Sequence, residues 1–268
     1  MPLPRQPRAV ITGAASGLGR ALALELATRR AKILVADIDP VGAAETVGLV
    51  AAAGGEAHAT RCDVSRSDEV AALLGEADRV LGGVDLLVNN AGVAVGGPVG
   101  EVPLADWEWV MGINLWGVIH GCHAFVPRFR EQRGGAILNV ASAAGLISAP
   151  DLAPYNVTKA GVVALSETLS AELAEHGVSV TVLCPTFFRT RIAERSRSHG
   201  KVGREVIEKL MARSTLQADG VARAALEAVD AGRLYAVPHA DGRWFWRLKR
   251  AAPQEFGKLV PMARRLLR

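Results

Sequence analysis

Strand-like and helix-like patterns of hydrophobic residues alternate along most of this chain. Between the predicted strands, apolar residues recur every three or four positions, as they do on one face of a helix. The predicted strands are residues 9–11, 33–36, 56–61, 85–88, 135–141 and 178–183. The predicted helices are a first one through Leu18, Ala21, Leu22 and Leu26, and then residues 40–53, 67–81, 104–111, 114–131 and 154–176.

This regular alternation predicts an α/β fold in which a parallel sheet is wound doubly, with helices on both faces. No internal repeat or low-complexity linker interrupts the chain before about residue 240. We therefore predict one domain over residues 1–240, followed by a basic, aromatic-rich C-terminal extension over residues 241–268.

Composition supports a single globular domain. The chain has 268 residues, of which 50% are hydrophobic, enough for a substantial core. Charged residues interrupt every long apolar run, and the first eight residues contain no signal-peptide core, so we expect a cytoplasmic protein. Cys62, Cys122 and Cys184 are odd in number and lie in apolar sequence, which is typical of reduced core thiols.

A glycine-rich turn joins the first predicted strand to the first predicted helix. It contains Gly13, Ser16, Gly17, Leu18 and Gly19. Glycines allow backbone N–H groups to approach a phosphate at the positive end of a helix, and a pyrophosphate is the expected ligand. A lone glycine loop is also compatible with a simple tight turn, so its neighbours decide between these interpretations.

Asp37 ends the second predicted strand, where a carboxylate can accept hydrogen bonds from an adenosine ribose. The same carboxylate would repel a 2'-phosphate, so NAD is favoured as the cofactor; Arg20 and Arg61 nearby keep NADP as an alternative. Asp37 could instead cap a helix, but Asp39, with Pro40 at the first helical position, is the better candidate for that role.

Tyr155 and Lys159 lie four residues apart on a predicted helix, and Ser142 follows a predicted buried strand. Residues at this spacing project from one helix face, so the ammonium can sit beside the phenol. A tyrosine with a pKa of about 10 is a poor base at neutral pH unless a cation favours its phenolate. The pattern predicts a proton-relay triad, although the Tyr-x-x-x-Lys spacing alone also arises by chance.

The ordered set of Gly13–Gly19, Asn89-Asn90-Ala91-Gly92, Asn114, Ser142, Tyr155 and Lys159 resembles the short-chain dehydrogenase/reductase family. The likeness extends from about Ala9 to Pro238. It implies a single Rossmann-like domain that assembles as a homodimer or homotetramer.

The resemblance also implies roles for individual residues. Tyr155 would be the general acid/base, Lys159 would lower the pKa of Tyr155 and bind the nicotinamide ribose, and Ser142 would orient the substrate oxygen. Asn114 would hold a relay water. Where the family usually has Pro-Gly after the sixth strand, this chain has Pro185-Thr186, so the backbone has less conformational freedom there. The remaining cofactor-binding candidates are Asp63, Val64, Asn90, Ala91, Gly92, Pro185, Phe188 and Thr190.

Structural alternatives exist for several of these residues. Asp63 could cap a turn, and Asn89 could join neighbouring strands through its side chain. His120 and His123 have helical spacing but no further ligand at metal-binding distance in sequence, so no metal is expected.

The expected reaction is hydride transfer between NAD and a secondary alcohol or ketone. Apolar loop residues suggest a lipophilic small-molecule substrate, although such residues often only pack. The candidates are Val93, Val95, Leu146, Ile147, Leu152, Phe187 and Phe188. The polar segment from Thr186 to Arg213 is interpreted equally well as a lid and as a solvated loop.

The basic excess gathers beyond Pro238, where Trp244, Trp246 and several cations are interleaved. We favour a C-terminal helix that packs at a subunit boundary or the substrate cleft, with its basic face in water. Peripheral membrane contact is the second interpretation, and nucleic acid binding is not expected. The rival to an enzyme is a catalytically silent dinucleotide-binding scaffold that acts through this tail.

Overall fold

The structure, a computed structural model, describes residues 2–188, 192, 196–199, 214 and 216–266, the side chains of residues 260–266 excepted. Its strands are β1 (Arg8–Thr12), β2 (Lys32–Asp37), β3 (Glu56–Arg61), β4 (Leu86–Asn89), β5 (Val95–Gly96), β6 (Gly135–Val140), β7 (Val178–Leu183), β8 (Arg197–Ser198) and β9 (Tyr235–Ala236). Seven of them form one parallel sheet in the spatial order β3-β2-β1-β4-β6-β7-β9, while β5 pairs with β8.

Helices cover both faces of the sheet and connect its strands. They are α1 (Gly17–Ala27), α2 (Pro40–Ala52), α3 (Ser67–Leu81), α4 (Leu104–Met111), α5 (Gly117–Glu131), α6 (Ala143–Ile147), α7 (Ala153–Leu173), α8 (Ala218–Asp230), α9 (Ala240–Ala251) and α10 (Pro253–Leu266). The predicted doubly wound parallel sheet is confirmed.

Two apolar clusters, one on each face of the sheet, form the core. Alternate residues of β1 show this directly, because Ile11 belongs to one cluster and Val10 to the other. A strand covered by helices on both faces must be apolar on both, which explains why the inner strands have continuous aliphatic sequences. Phe125 and Phe129 are completely buried on the α5 side.

The predicted helix over residues 114–131 differs from the structure at its start. A π-helical turn, Gly112–Trp116, links α4 and α5, and Asn114 lies within it. Periodicity does not reveal such a wide turn, because it adds one residue without ending the helix.

The spatial order of the strands reverses direction between β1 and β4, since β2 and β3 lie on one side of β1 and the later strands on the other. A crevice forms at such a point, at the carboxyl ends of the strands, and it is the usual ligand site in open α/β sheets. None of the described helices combines the length and the apolar character that a membrane-spanning segment requires.

Candidate active site

A cleft of about 340 Å³ runs along the carboxyl ends of the central strands. Fifteen of the predicted site residues line it, from the glycine turn to the Tyr155 helix. They are Gly13, Ser16, Gly17, Leu18, Asp37, Asp63, Val64, Asn90, Ala91, Gly92, Ser142, Tyr155, Lys159, Pro185 and Phe188.

The glycine turn packs closely against the segment after β4. Gly13 has a φ of +65°, and a Cβ added there would lie 2.6 Å from the Cα of Ala91. Gly19 is a different case: it does not line the cleft, and an added Cβ would lie 2.3 Å from the Gly13 carbonyl oxygen. Gly19 therefore allows α1 to pack behind the turn, whereas Gly13 forms the cleft wall.

Asn90 fixes the relative position of these two segments. Its Nδ2 donates to the carbonyl oxygens of Thr12 at 2.8 Å and Gly13 at 2.9 Å, and its backbone N–H donates to the Thr12 hydroxyl. Asn89 points the other way, and its Nδ2 donates to Asn139 on the neighbouring strand. Asn89 therefore has the contact expected of the structural alternative, in which its side chain joins neighbouring strands.

Asp37 is buried at the end of β2 and faces the glycine turn. One carboxylate oxygen accepts from the Ala15 N–H at 2.8 Å, and the other accepts from the Asp39 N–H at 3.0 Å. Asp39, not Asp37, caps α2, because its side chain accepts from the Gly42 N–H and Pro40 occupies the first turn.

Neither arginine near the predicted adenosine end lines the cleft. Arg20 donates to the Ala15 carbonyl and to Glu45, and Arg61 pairs with Glu69. Asp63 lines the cleft and also accepts from the backbone and hydroxyl of Ser65. Asp63 therefore has the predicted turn-capping contacts together with its position in the wall.

Ser142 and Tyr155 approach each other at the opposite end of the cleft. Ser142 follows β6 and caps the short helix α6, where its hydroxyl oxygen accepts from the Ala144 N–H at 3.1 Å. A hydrogen bond with the Ser142 side chain lowers the pKa of Tyr155, but burial raises this pKa by more. The phenol is accordingly held in its protonated form.

Lys159 reaches the same place from one turn further along α7. Its Nζ lies 5.7 Å from the centroid of the Tyr155 ring and donates to the Val140 carbonyl oxygen at 2.8 Å. Burial lowers the pKa of Lys159 to about 8. Burial disfavours the charged form of each group, and it is the largest cause of both pKa shifts.

Asn114 lies beneath the site and does not line the cleft. It is completely buried, its Oδ1 accepts from the Val93 N–H at 2.8 Å, and its Nδ2 donates to the Val93 carbonyl at the same distance. A Cβ added to Gly92 would lie 3.3 Å from the Asn114 Oδ1 and 3.5 Å from the Lys159 Nζ. Asn114 thus holds the segment after β4, whose residues Gly92 and Val93 line the cleft.

Comparison with known proteins agrees with this geometry. The family model described as short chain dehydrogenase matches residues 7–201. The chain belongs to the short-chain dehydrogenase family. Its predicted membership is therefore confirmed.

Individual members of the family are similar over most of their length. The D-threitol dehydrogenase of Mycolicibacterium smegmatis is 38% identical over 70% of this chain and 72% of that protein. The 3beta-hydroxysteroid dehydrogenase 1 of Eggerthella lenta is 38% identical over 68% of this chain and 71% of that protein. A crystal structure of a short-chain dehydrogenase/reductase from Burkholderia phymatum in complex with NAD has a TM-score of 0.86, is 37% identical, and matches 92% of this chain and 93% of its own.

The departure from the short-chain dehydrogenase pattern at Thr186 causes no backbone strain, because Thr186 is not among the residues with positive φ. Its N–H donates to the His239 Nδ1 at 3.3 Å, and its hydroxyl donates to Asp241. The threonine therefore links this loop to the start of α9. Thr190, one of the predicted cofactor-binding residues, lies outside the described residues, as does most of the segment from Thr186 to Arg213.

The first C-terminal helix packs beside the cleft. Gly242 lies against Thr186, where an added Cβ would be 2.8 Å from the threonine methyl group, and the Lys249 Nζ donates to the Leu146 carbonyl at 2.7 Å. α9 therefore contacts Thr186 of the cleft wall and the helix α6, while the predicted packing at a subunit boundary or a substrate stays a prediction. The sequence did not predict the contacts of His239, Asp241 and Gly242 with Thr186, because no local pattern links residues so far apart in the chain.

Apolar side chains dominate the part of the cleft beyond Ser142. Two of the predicted substrate-facing residues do not belong to it, because Val95 and Leu146 are buried in apolar clusters. The apolar side chains that line this end are Val93, Ala94, Ile147, Ala149, Leu152, Phe187, Phe188 and Ile192.

Among the described residues, no group of three His, Cys, Asp or Glu side chains is placed to bind a metal ion. His120 donates from its Nδ1 to the Val64 carbonyl oxygen at 3.0 Å, which gives this histidine a structural contact.

Proposed function

We propose that this protein is an NAD-dependent dehydrogenase or ketone reductase that interconverts a secondary alcohol and a ketone. One observation carries the proposal: Ser142, Tyr155 and Lys159 meet at one end of a cleft whose other end is formed by the glycine turn and Asp37. A base and a dinucleotide site in one cleft are what alcohol oxidation needs, because the hydroxyl proton and the hydride leave the same substrate.

The residues at the dinucleotide end fit this cofactor. No side chain caps α1, and its first residues, Gly17 and Leu18, line the cleft, so backbone N–H groups are free to bind a pyrophosphate. Asp37 would accept hydrogen bonds from the adenosine ribose, and Asp63 and Val64 would lie beside the adenine. Asn90, Ala91 and Gly92 would contact the middle of the cofactor, and Pro185, Phe188 and Thr190 the nicotinamide.

Charge favours NAD over NADP. The only cationic side chain among the described residues of the cleft wall is Lys159, at the opposite end from Asp37. A 2'-phosphate beside Asp37 would therefore be repelled and would find no arginine, since Arg20 and Arg61 are engaged elsewhere.

In the proposed reaction, the Ser142 hydroxyl donates a hydrogen bond to the substrate oxygen and Tyr155 exchanges a proton with that oxygen. The bound nicotinamide would supply the hydride donor or acceptor. Lys159 would bind the nicotinamide ribose. Its positive charge would favour the Tyr155 phenolate, which is the form that alcohol oxidation needs. Asn114 would hold a relay water in addition to its hydrogen bonds with Val93.

The apolar end of the cleft favours a lipophilic substrate. Ile147, Leu152, Phe187 and Phe188 surround the space next to Ser142, and they offer few hydrogen bonds to a polar molecule. The two similar dehydrogenases named above are called a D-threitol and a 3beta-hydroxysteroid enzyme, so the family alone does not choose between polar and lipophilic alcohols.

The decisive experiment measures nicotinamide reduction with NAD and with NADP against a panel of secondary alcohols that ranges from polyols to steroids. Tyr155→Phe serves as the control. We expect turnover with NAD and a lipophilic alcohol, and its loss in the variant. A protein that binds NAD in calorimetry but oxidises none of the panel, and reduces none of the matching ketones, would support the scaffold alternative.

We also propose that the protein is a homodimer or homotetramer. Exposed apolar side chains lie on the helices next to the sheet, at Leu104, Trp116 and Val157. Light scattering on the purified protein measures the assembly, and a monomer at micromolar concentration would contradict it.

A further inference from the structure

Asp106 makes two strong side-chain contacts that the proposed chemistry does not use. It lies on α4, outside the cleft wall, and only 8% of its surface is exposed. Its Oδ1 accepts from the Arg197 Nη1 at 2.6 Å, and its Oδ2 accepts from the His199 Nε2 at 2.5 Å. A single carboxylate therefore binds two side chains of a segment that is more than ninety residues away in sequence.

Trp109 holds the same arginine from a second side. The guanidinium carbon of Arg197 lies 3.9 Å from the centroid of the Trp109 ring, close enough for a cation–π contact. Asp106 and Trp109 are three residues apart on α4, so both project from one face of the helix. The arginine is thus fixed in position and in orientation.

The backbone of residues 197–199, which include β8, pairs with β5 and the residue before it. The Arg197 N–H donates to the Ala94 carbonyl at 3.0 Å, and the His199 N–H donates to the Gly96 carbonyl at 2.8 Å. A two-residue, two-stranded ladder is not stable alone, so the side-chain contacts must contribute much of its stability. We call the group of Asp106, Trp109, Arg197 and His199 the clamp.

The clamp lies next to the substrate end of the cleft. Ala94, which accepts the Arg197 bond, lines the cleft, and so does Ser196, the residue before Arg197. Contacts that hold β8 in place therefore also hold Ser196 and Ala94, which are part of the wall that a substrate would touch. The dinucleotide end, at Asp37, contains none of these residues.

We propose that Asp106 is a positioning residue for substrate binding, which holds β8 and thereby Ser196 against the substrate end of the cleft. The inference rests on the proposed function, because it assumes that a substrate binds beside Ser142. An asparagine at this position would give Arg197 a neutral acceptor in place of a charged one and has one oxygen instead of two, so Asp106→Asn weakens the clamp while it keeps the side-chain volume.

The chain offers a matched control. Asp78 forms a similar two-oxygen pair with Arg128, at 2.7 and 2.8 Å, between α3 and α5 and outside the cleft wall. Asp78→Asn therefore removes a carboxylate charge from an aspartate–arginine pair without touching β8. Arg197→Gln is the second clamp variant, and because 47% of the Arg197 side chain is exposed, its replacement is compatible with folding.

The first experiment measures steady-state kinetics of the full-length protein with NAD and its best alcohol. For Asp106→Asn and Arg197→Gln we expect the KM for the alcohol to rise about tenfold, as the loss of a charged hydrogen bond implies, with kcat and the KM for NAD within about twofold of wild type. Asp78→Asn should leave all three constants unchanged. An unchanged alcohol KM in both clamp variants would overturn the proposal.

The second experiment measures hydrogen–deuterium exchange of the backbone and needs no substrate. In both clamp variants the amides of Arg197 and His199 should exchange about tenfold faster than in wild type, and in Asp78→Asn they should not. Equal exchange in wild type and variants would show that Asp106 does not hold β8. If the wild type oxidises no alcohol of the panel and reduces none of the matching ketones, the proposed function fails, but the exchange result still decides whether the clamp exists.

Discussion

The two ends of the cleft are built differently. At the dinucleotide end, the wall comes from the turn after β1 and the ends of β2 and β4, and side-chain hydrogen bonds of Asn90 and Asp37 join these neighbours. At the substrate end, the wall comes from α6, the loop after β7 and Ser196, and β8 and the start of α9 contact these segments from outside the cleft. These segments are far apart in sequence.

This difference indicates how each end responds to change. The dinucleotide end rests on strand ends within one sheet, so its geometry follows from the fold. The substrate end depends on a few contacts among separate segments, such as Thr186 with His239. We expect changes at the first end to alter cofactor binding, changes at the second to alter substrate binding, and changes at Tyr155 to alter the chemistry alone.

Tyr155→Phe should have the largest effect. The variant keeps the ring but loses the group that exchanges the proton, so kcat should fall by about 10²–10⁴-fold, as is usual for a general acid/base. NAD affinity, measured by calorimetry, should change by less than about threefold. A variant that retains a tenth of the wild-type kcat would rule out this role for Tyr155.

The pH dependence should differ between the two reaction directions, because oxidation should rise with pH while reduction stays nearly constant between pH 6 and 8. Burial raises the pKa of Tyr155, so the phenolate that oxidation needs becomes more abundant as pH rises, whereas reduction uses the phenol. Oxidation should therefore increase by up to about tenfold per pH unit from pH 6, until Lys159, with a pKa of about 8, loses its charge. Rate profiles in both directions test this, and oxidation that slows between pH 6 and 8 would contradict it.

Lys159 also predicts a change in stability. Its folded-state pKa of about 8 lies below the ordinary value of 10.5. Between these values the unfolded chain binds more protons, so this group adds stability as pH rises from 8 to 10.5 and contributes nothing further above that. Urea unfolding of wild type and Lys159→Met across this range isolates the effect, since the methionine variant should lack this rise.

Asp37→Asn should act at the dinucleotide end. The variant loses the charge that accepts from the Ala15 N–H and would accept from the ribose, so the KM for NAD should rise by about ten- to a hundredfold. The ratio of NADP to NAD activity should increase, because the repulsion of a 2'-phosphate is removed. The alcohol KM at saturating NAD should stay within about twofold, and a larger shift there would mean that the two ends are coupled.

Gly242→Ala should have the smallest effect and should act at the substrate end. The added Cβ would lie 2.8 Å from the methyl group of Thr186, a β-branched side chain with little freedom to rotate, so the loop and α9 must shift slightly. We expect a loss of about 1–3 kcal/mol in the free energy of unfolding and a few-fold rise in the alcohol KM. Gly48→Ala on α2, where an added Cβ meets nothing within 4 Å, is the control for both measurements.

The sequence predicts the dinucleotide end better than the substrate end for a physical reason. Aliphatic strands and a glycine turn leave a local pattern, so β1, β2 and the turn through Gly13 were placed correctly. The partners of Thr186 and Asp106 come from segments 53 and 91 residues away, and no local pattern reports such pairings. The π-helical turn at Asn114 escaped prediction because it changes the helical repeat by one residue only.

The three cysteines have a practical consequence for studying this protein. Cys62, Cys122 and Cys184 are all buried, and burial raises the pKa of each thiol to about 12. Alkylating reagents attack the thiolate, so they should modify the native chain slowly and the denatured chain quickly. A single cysteine introduced at Val99, which is 74% exposed, would then accept a fluorescent label without prior removal of the natural thiols.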